Sequence, residues 1–148
     1  MTVTSDTRSQ ATDEKNEKLY GMKKILVIDD DPIMRETIKD ILQYEDYYVA
    51  DAADGREGMA LLKKDTFDMI VTDVLMPEKD GIEVIMEAKK RQPKIQIVAI
   101  SGGGYLSAEN YLKMARDLGA SAAVVKPFDI DMFIEKVNTL LYDKMLEL

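Results

Sequence analysis

Neither cysteine nor histidine occurs anywhere in the 148 residues. The first absence excludes disulfides, thiolate nucleophiles and cysteine-ligated metal. The second excludes a Ser-His-Asp triad, histidine-ligated zinc and a phosphohistidine carried by this chain. Carboxylate, hydroxyl, amine and bound metal are what remain for chemistry. Positive charge is also in short supply, with 20 Lys plus Arg against 28 Asp plus Glu and a formal charge of -8. A net-acidic domain is a poor match for nucleic acid or an anionic membrane surface. No apolar run is long enough to span a bilayer, and the first twenty residues contain no apolar signal core. The chain therefore reads as cytoplasmic, with neither nucleic acid nor membrane as a partner.

Hydrophobic residues make up 46% of the chain, enough for one domain with a proper core. Residues 1–21 stand apart from that core. They are rich in Ser, Thr, Asp, Glu and Lys, and only Val3, Leu19 and Tyr20 offer much apolar surface. Such a composition does not offset the entropy of ordering, so a disordered tail is expected there. The domain is expected over residues 22–148.

From Lys23 onward, short β-branched runs alternate with helical patterns. Residues 25–28, 67–72, 95–100 and 122–125 read as buried strands. Residues 47–52, less apolar, read as a strand at an edge. Pro32 suits the first turn of a helix whose face is Met34, Ile38, Ile41 and Leu42. Asp54 and Glu57 have capping-box spacing ahead of Met59 and Leu62. Ile82, Ile85, Met86 and Lys89 predict a third helical face, ended by Pro93. Tyr111, Leu112, Ala115 and Leu118 predict a fourth, stopped at Gly119. Phe133, Val137, Leu140 and Leu141 predict the last. Five βα units with strands apolar on both faces specify a doubly wound α/β fold around a five-stranded parallel sheet. No output domain is expected after the fifth helix.

Four of the strands stop at a polar side chain. Ile25-Leu26-Val27-Ile28 runs into Asp29-Asp30-Asp31, and Met69-Ile70-Val71 ends on Thr72-Asp73. Ile97-Val98-Ala99-Ile100 ends on Ser101-Gly102-Gly103-Gly104, and Val124-Val125 ends on Lys126-Pro127. Ligands of open parallel sheets bind beyond the carboxyl ends of the strands. Three carboxylates, a hydroxyl and an ammonium then converge on one edge. Asp29, Asp30 and Asp73 form a set of hard oxygens that suits Mg2+, which keeps places for water and phosphate oxygens. Asp73, at the end of the most apolar strand, can attack phosphorus and form an acyl phosphate. Lys126 offers a point charge and Ser101 a hydrogen bond to the phosphoryl oxygens. Asp31 reads as a helix cap. Each string alone is commonplace, and the order of all four on successive strand ends makes the pattern specific.

These strings, with Asp73-Val74-Leu75-Met76-Pro77-Glu78-Lys79-Asp80-Gly81 and Val125-Lys126-Pro127-Phe128, resemble the receiver domain of two-component response regulators, single-domain type. The resemblance runs from Lys23 to the C-terminus. It implies a flavodoxin-like (βα)5 fold with strand order 2-1-3-4-5. It also implies that Asp73 accepts a phosphoryl group from a phosphohistidine on a sensor histidine kinase or a histidine phosphotransfer protein. Asp29, Asp30, Asp73 and the backbone carbonyl of Leu75 would hold Mg2+. Ser101 would occupy the Thr/Ser switch position, and Lys126 would be the family's lysine, with a Lys126-Pro127 peptide that is commonly cis. A downstream protein target follows, with the chain as a monomer or a phosphorylation-dependent dimer. It would be a signalling phosphoacceptor and not an enzyme with turnover.

Several positions depart from the family's pattern. Ala123 stands where many members carry a Tyr or Phe, and Tyr105 is a candidate substitute from the glycine loop. Leu75 and Gly103 take positions that often carry polar groups and tune dephosphorylation. An apolar Leu75 should hinder attack by water, so the phosphorylated form is expected to outlive that of fast chemotaxis-type members. Following its decay checks this, and a lifetime of seconds would refute it.

Two other readings use the same residues. A magnesium-dependent aspartyl phosphohydrolase also has a strand-end Asp, but usually has a second Asp two residues later, where this chain has Leu75. A phosphorylation-independent interaction module agrees with Ala123 and disagrees with the intact set of Asp29, Asp30, Asp73, Ser101 and Lys126.

Overall fold

A computed structural model describes residues 21–74, 81–102 and 108–146, with the backbone alone at 108–109, 111–112 and 143–146. Its strands are β1 (Lys24–Ile28), β2 (Tyr48–Ala52), β3 (Met69–Asp73), β4 (Gln96–Ser101) and β5 (Ala122–Val125). They alternate with α1 (Pro32–Tyr44), α2 (Gly55–Lys64), α3 (Gly81–Arg91), α4 (Ala108–Asp117) and α5 (Ile130–Leu146). All strand pairings are parallel, in the order β2-β1-β3-β4-β5. The expected strand order and the edge position of β2 are both present. No helix among the described residues is long and apolar enough to cross a membrane.

Period-two alternation sends each strand's side chains to two cores. Leu26, Ile28, Ile70, Ile97 and Ala99 pack on one face with Met59 and Leu62 of α2, Val84, Ile85 and Ala88 of α3, and Ala115 of α4. Ile25, Val27, Met69, Val71, Val98, Ile100 and Val124 pack on the other with Ile38 and Leu42 of α1 and Phe133 and Val137 of α5. The sheet is thus covered on both sides, which is why its central strands carry almost no polar residue before their last positions.

Local signals set the helix starts. The Asp31 carboxylate accepts from the Ile33 N–H at 3.0 Å, with Pro32 in the first turn of α1. Asp54 accepts from the Glu57 N–H at 2.8 Å, while Glu57 accepts from the Ala53 N–H at 3.3 Å. Gly119, at φ 121°, takes the chain out of α4 into a backbone region that side chains disfavour.

Three expectations need correction. The buried face of α3 is Gly81, Val84, Ile85 and Ala88, and Met86 is 55% exposed. The true stripe lies one residue earlier than predicted because two of its members are the small residues Gly81 and Ala88. Leu118 is 37% exposed, since α4 ends at Asp117 and Leu118 belongs to the turn that follows. Phe67 is buried but precedes β3, which extends instead through Asp73. The side chains of Tyr111 and Leu112 lie outside the described residues.

Candidate functional site

Each polar side chain arrives at the carboxyl edge of the sheet on its own strand. Asp29 follows β1, and its N–H donates to the Ala52 carbonyl of β2 at 3.2 Å. Its carboxylate is 1% exposed and accepts from the Asp31 N–H at 2.9 Å. Asp30, the next residue, is exposed. Asp73 closes β3 and is 8% exposed. The Thr72 hydroxyl donates to the Asp73 carbonyl at 2.9 Å, and the Val74 N–H continues the ladder to the Ile100 carbonyl at 2.9 Å. Ser101 closes β4 and is fully buried. Lys126 follows β5, its N–H donating to the Ser101 carbonyl at 2.8 Å, and the Lys126-Pro127 peptide is cis. Beside it a Cβ on Gly102 would lie 3.2 Å from Lys126 Cδ, so the glycine leaves room for the lysine stem.

Of the five groups expected to meet, the three carboxylates and the ammonium do so. One carboxylate oxygen from each of Asp29, Asp30 and Asp73 lies within 4.8 Å of the others. Lys126 Nζ is 3.2 Å from Asp29 Oδ2 and 3.1 Å from Asp73 Oδ2. Ser101 Oγ is buried with no hydrogen-bond partner among the described residues. A buried hydroxyl in that condition costs about 1–3 kcal/mol, and an anionic oxygen at the strand edge would satisfy it. Leu75, Gly103, Gly104 and Tyr105 lie outside the described residues. Ala123 is partly buried against the α2–α3 core.

Burial pushes the Asp29 carboxyl above the usual carboxylate range; the Asp31 amide and Lys126 pull it down, while Asp73 adds to the rise. Burial works against the Lys126 ammonium, but Asp73 and Asp29 beside it prevail and hold its pKa above the ordinary lysine value. The acids therefore outnumber the cation that serves them, and a divalent cation suits this donor set.

The raised Asp29 pKa has a consequence for stability. A group that binds its proton more tightly folded than unfolded favours the fold at low pH, and that contribution is lost as pH rises through the folded pKa. At neutral pH and without divalent metal, ionised Asp29 thus opposes folding. Asp29→Asn is expected to stabilise the metal-free protein at neutral pH by roughly 0.5–2 kcal/mol. The gain should shrink as the pH falls and the wild-type carboxyl takes up its proton. Urea unfolding in chelator across pH checks this, and a variant less stable than wild type at neutral pH would contradict it.

Sequence reasoning missed Arg35, Thr72 as a brace on the Asp73 carbonyl, and the closeness of Gly81 to Asp73. Arg35 Nη1 donates to the Asp29 carbonyl at 2.8 Å, and its Nε to Asp51 Oδ2 at 3.2 Å. A cation one turn into the helix behind an acidic run is the signal that points to it.

A doubly wound parallel sheet with an acidic cluster and a lysine at its carboxyl edge defines the class of this protein. The family profile described as the response regulator receiver domain matches residues 25–138. The chain belongs to that family and is the receiver domain of a two-component response regulator. It is 34% identical over 119 residues to the chemotaxis protein CheY of Bacillus subtilis, covering 80% of this chain and 97% of the relative. A CheY-like receiver domain protein from Methanospirillum hungatei superposes with a TM-score of 0.77 at 31% identity, covering 86% of this chain and 99% of the other. The response regulator TrrA of Thermotoga maritima, solved in complex with Mg(2+)-BeF, does so with a TM-score of 0.70 at 32% identity, covering 81% and 100%. The chain spans about half the length of several other curated relatives.

Proposed function

We propose that Asp73 is the phosphoacceptor of a histidine-to-aspartate phosphorelay, working with Mg2+ held by Asp29, Asp30 and Asp73 and by the backbone carbonyl of Leu75. The observation that carries this reading is the meeting of three carboxylates and Lys126 from separate strand ends around one point. The capture of Mg(2+)-BeF by TrrA supports it. In the transfer, an Asp73 carboxylate oxygen bonds to phosphorus as the phosphorus–nitrogen bond of the donor phosphohistidine breaks. The imidazole leaves with the electron pair of that bond and takes a proton from solvent. Bound Mg2+ supplies neutralisation of the phosphoryl oxygens. Lys126, already between two carboxylates, passes part of its charge to a phosphoryl oxygen, and the Ser101 hydroxyl donates to another.

The donor is a sensor histidine kinase or a histidine phosphotransfer protein, and the output is a protein-binding surface that changes with phosphorylation. The unit that performs this is residues 22–148, with residues 1–21 as a tail. Incubation with acetyl phosphate, read by intact mass, tests the proposal. One phosphoryl group is expected with Mg2+ and none with chelator. No gain on the wild type would favour the phosphorylation-independent module. Turnover of a phosphate ester that survives Asp73→Asn would favour a phosphohydrolase.

A further inference from the structure

The guanidinium of Arg35 lies behind the acidic site and touches none of the site's carboxylates. Its Nη1 donates to the backbone carbonyl of Asp29 at 2.8 Å, and its Nε to the Asp51 carboxylate on β2 at 3.2 Å. Lys39 Nζ holds the other Asp51 oxygen at 3.3 Å. Arg35 and Lys39, one turn apart on α1, thus grip the edge strand through one carboxylate. We propose that Arg35 is a positioning residue for the Asp29–Asp30 pair, setting its geometry for a divalent cation from behind the peptide that joins the two acids. This rests on the reading of Asp29 and Asp30 as cation ligands.

The argument starts from the peptide plane. A carbonyl oxygen held in place also holds the N–H on the other side of the same rigid unit, which here belongs to Asp30. Asp29 has other anchors, its N–H on Ala52 and its carboxylate on the Asp31 amide. The Asp30 carboxylate has no hydrogen bond or ion pair among the described residues. Its place near Asp29 and Asp73 is therefore set by the backbone leading to it. Arg35 controls that backbone without occupying a carboxylate oxygen. A guanidinium paired directly with Asp29 or Asp73 would compete with a cation for those oxygens; one paired with the carbonyl does not. The two donors used here reach two acceptors on different elements, which a lysine ammonium on its flexible stem does not reproduce.

The competing view is that Arg35 only braces α1 to β2. The two are separated by titrating Mg2+ calorimetrically into wild type, Arg35→Met, Arg35→Lys and Asp51→Asn. Urea unfolding and acetyl phosphate kinetics accompany each titration. Partners of this kind behind a metal ligand commonly change affinity by about tenfold or more. Arg35→Met is expected to weaken Mg2+ binding about tenfold, with Arg35→Lys restoring only part of it. Asp51→Asn should act in the same direction more weakly, and the double variant should be no worse than Arg35→Met alone. At saturating Mg2+ the phosphorylation rate should return to the wild-type value. Unchanged Mg2+ affinity with only a lowered unfolding midpoint overturns the proposal, as does a rate deficit that persists at saturating Mg2+. Should Arg35→Met not fold, Arg35→Lys and Asp51→Asn carry the same comparison. A wild type that binds no Mg2+ removes the reading of the site as a cation site, and this inference with it. A wild type that binds while the variants match it removes this inference alone.

Discussion

Asp73→Asn protein incubated with acetyl phosphate and Mg2+ is expected to gain no phosphoryl mass, whereas the wild type is expected to gain one phosphoryl group. The amide has the shape of the carboxylate, so packing at the end of β3 is preserved. On the proposed reading, what it lacks is the negative oxygen that would attack phosphorus and bind a divalent cation. The remaining groups are no substitute, because Asp29 keeps its bonds to Lys126 and the Asp31 amide and does not end β3. The variant should also be at least as stable as wild type without metal, since one of three mutually repelling acids is gone. A folded, inactive variant therefore reads as lost chemistry and not as lost structure. Retained phosphorylation at wild-type rate would move the phosphoacceptor elsewhere in the chain and end the assignment.

The second large effect is expected at Gly81, the first residue of α3. A Cβ placed there would lie 2.2 Å from the Asp73 carbonyl oxygen, 2.6 Å from Val74 Cα and 3.0 Å from the Asp73 carbonyl carbon. All three obstacles are backbone, so no rotamer change relieves them. The Gly81 N–H also donates to the Val74 carbonyl at 2.9 Å, which ties the two segments together at the point of contact. Gly81→Ala should therefore cost about 1–3 kcal/mol by overpacking. It should also slow phosphorylation, because the Asp73–Val74 backbone is one of the two segments that must give way.

Gly58→Ala is the control. Its Cβ would meet Ile28 Cδ1 at 2.4 Å and Cγ1 at 2.9 Å, both side-chain atoms and not backbone. Gly58→Ala should lose stability while keeping most of its phosphorylation rate. Equal loss of rate in the two variants, measured with acetyl phosphate at one temperature alongside urea unfolding, would show that contact with the Asp73 backbone has no special effect.

The sheet was legible because burial on both faces leaves little choice of residue. Runs such as Ile25 to Ile28 have no polar position to confuse the period, and β5 was placed at its observed bounds. Asp29, Asp30, Asp73 and Lys126 were legible because a parallel sheet puts every strand's carboxyl end on one edge. The face of α3 was not, because a scan for large apolar residues passes over Gly81 and Ala88, and Met86 looks like core until its neighbours are known. Arg35 was hidden for a different reason. Its acceptor is a backbone carbonyl, and the carboxylate that orients it, Asp51, lies 16 positions away on another strand. The cation behind the acidic run hints at a role for Arg35, but it does not say which acceptors the guanidinium takes.

Lys126 bonds to Asp29 across 97 positions and to Asp73 across 53. No fragment that ends before β5 holds the lysine with the acids. During synthesis the acids emerge first, and the ammonium that balances them is among the last parts of the domain to leave the ribosome. A stalled or clipped chain that ends before β5 carries the acids without their shared counter-charge. If Asp73 is the phosphoacceptor, competence to receive a signal is withheld until β5 has been made, and the lysine would then act as a check on completeness.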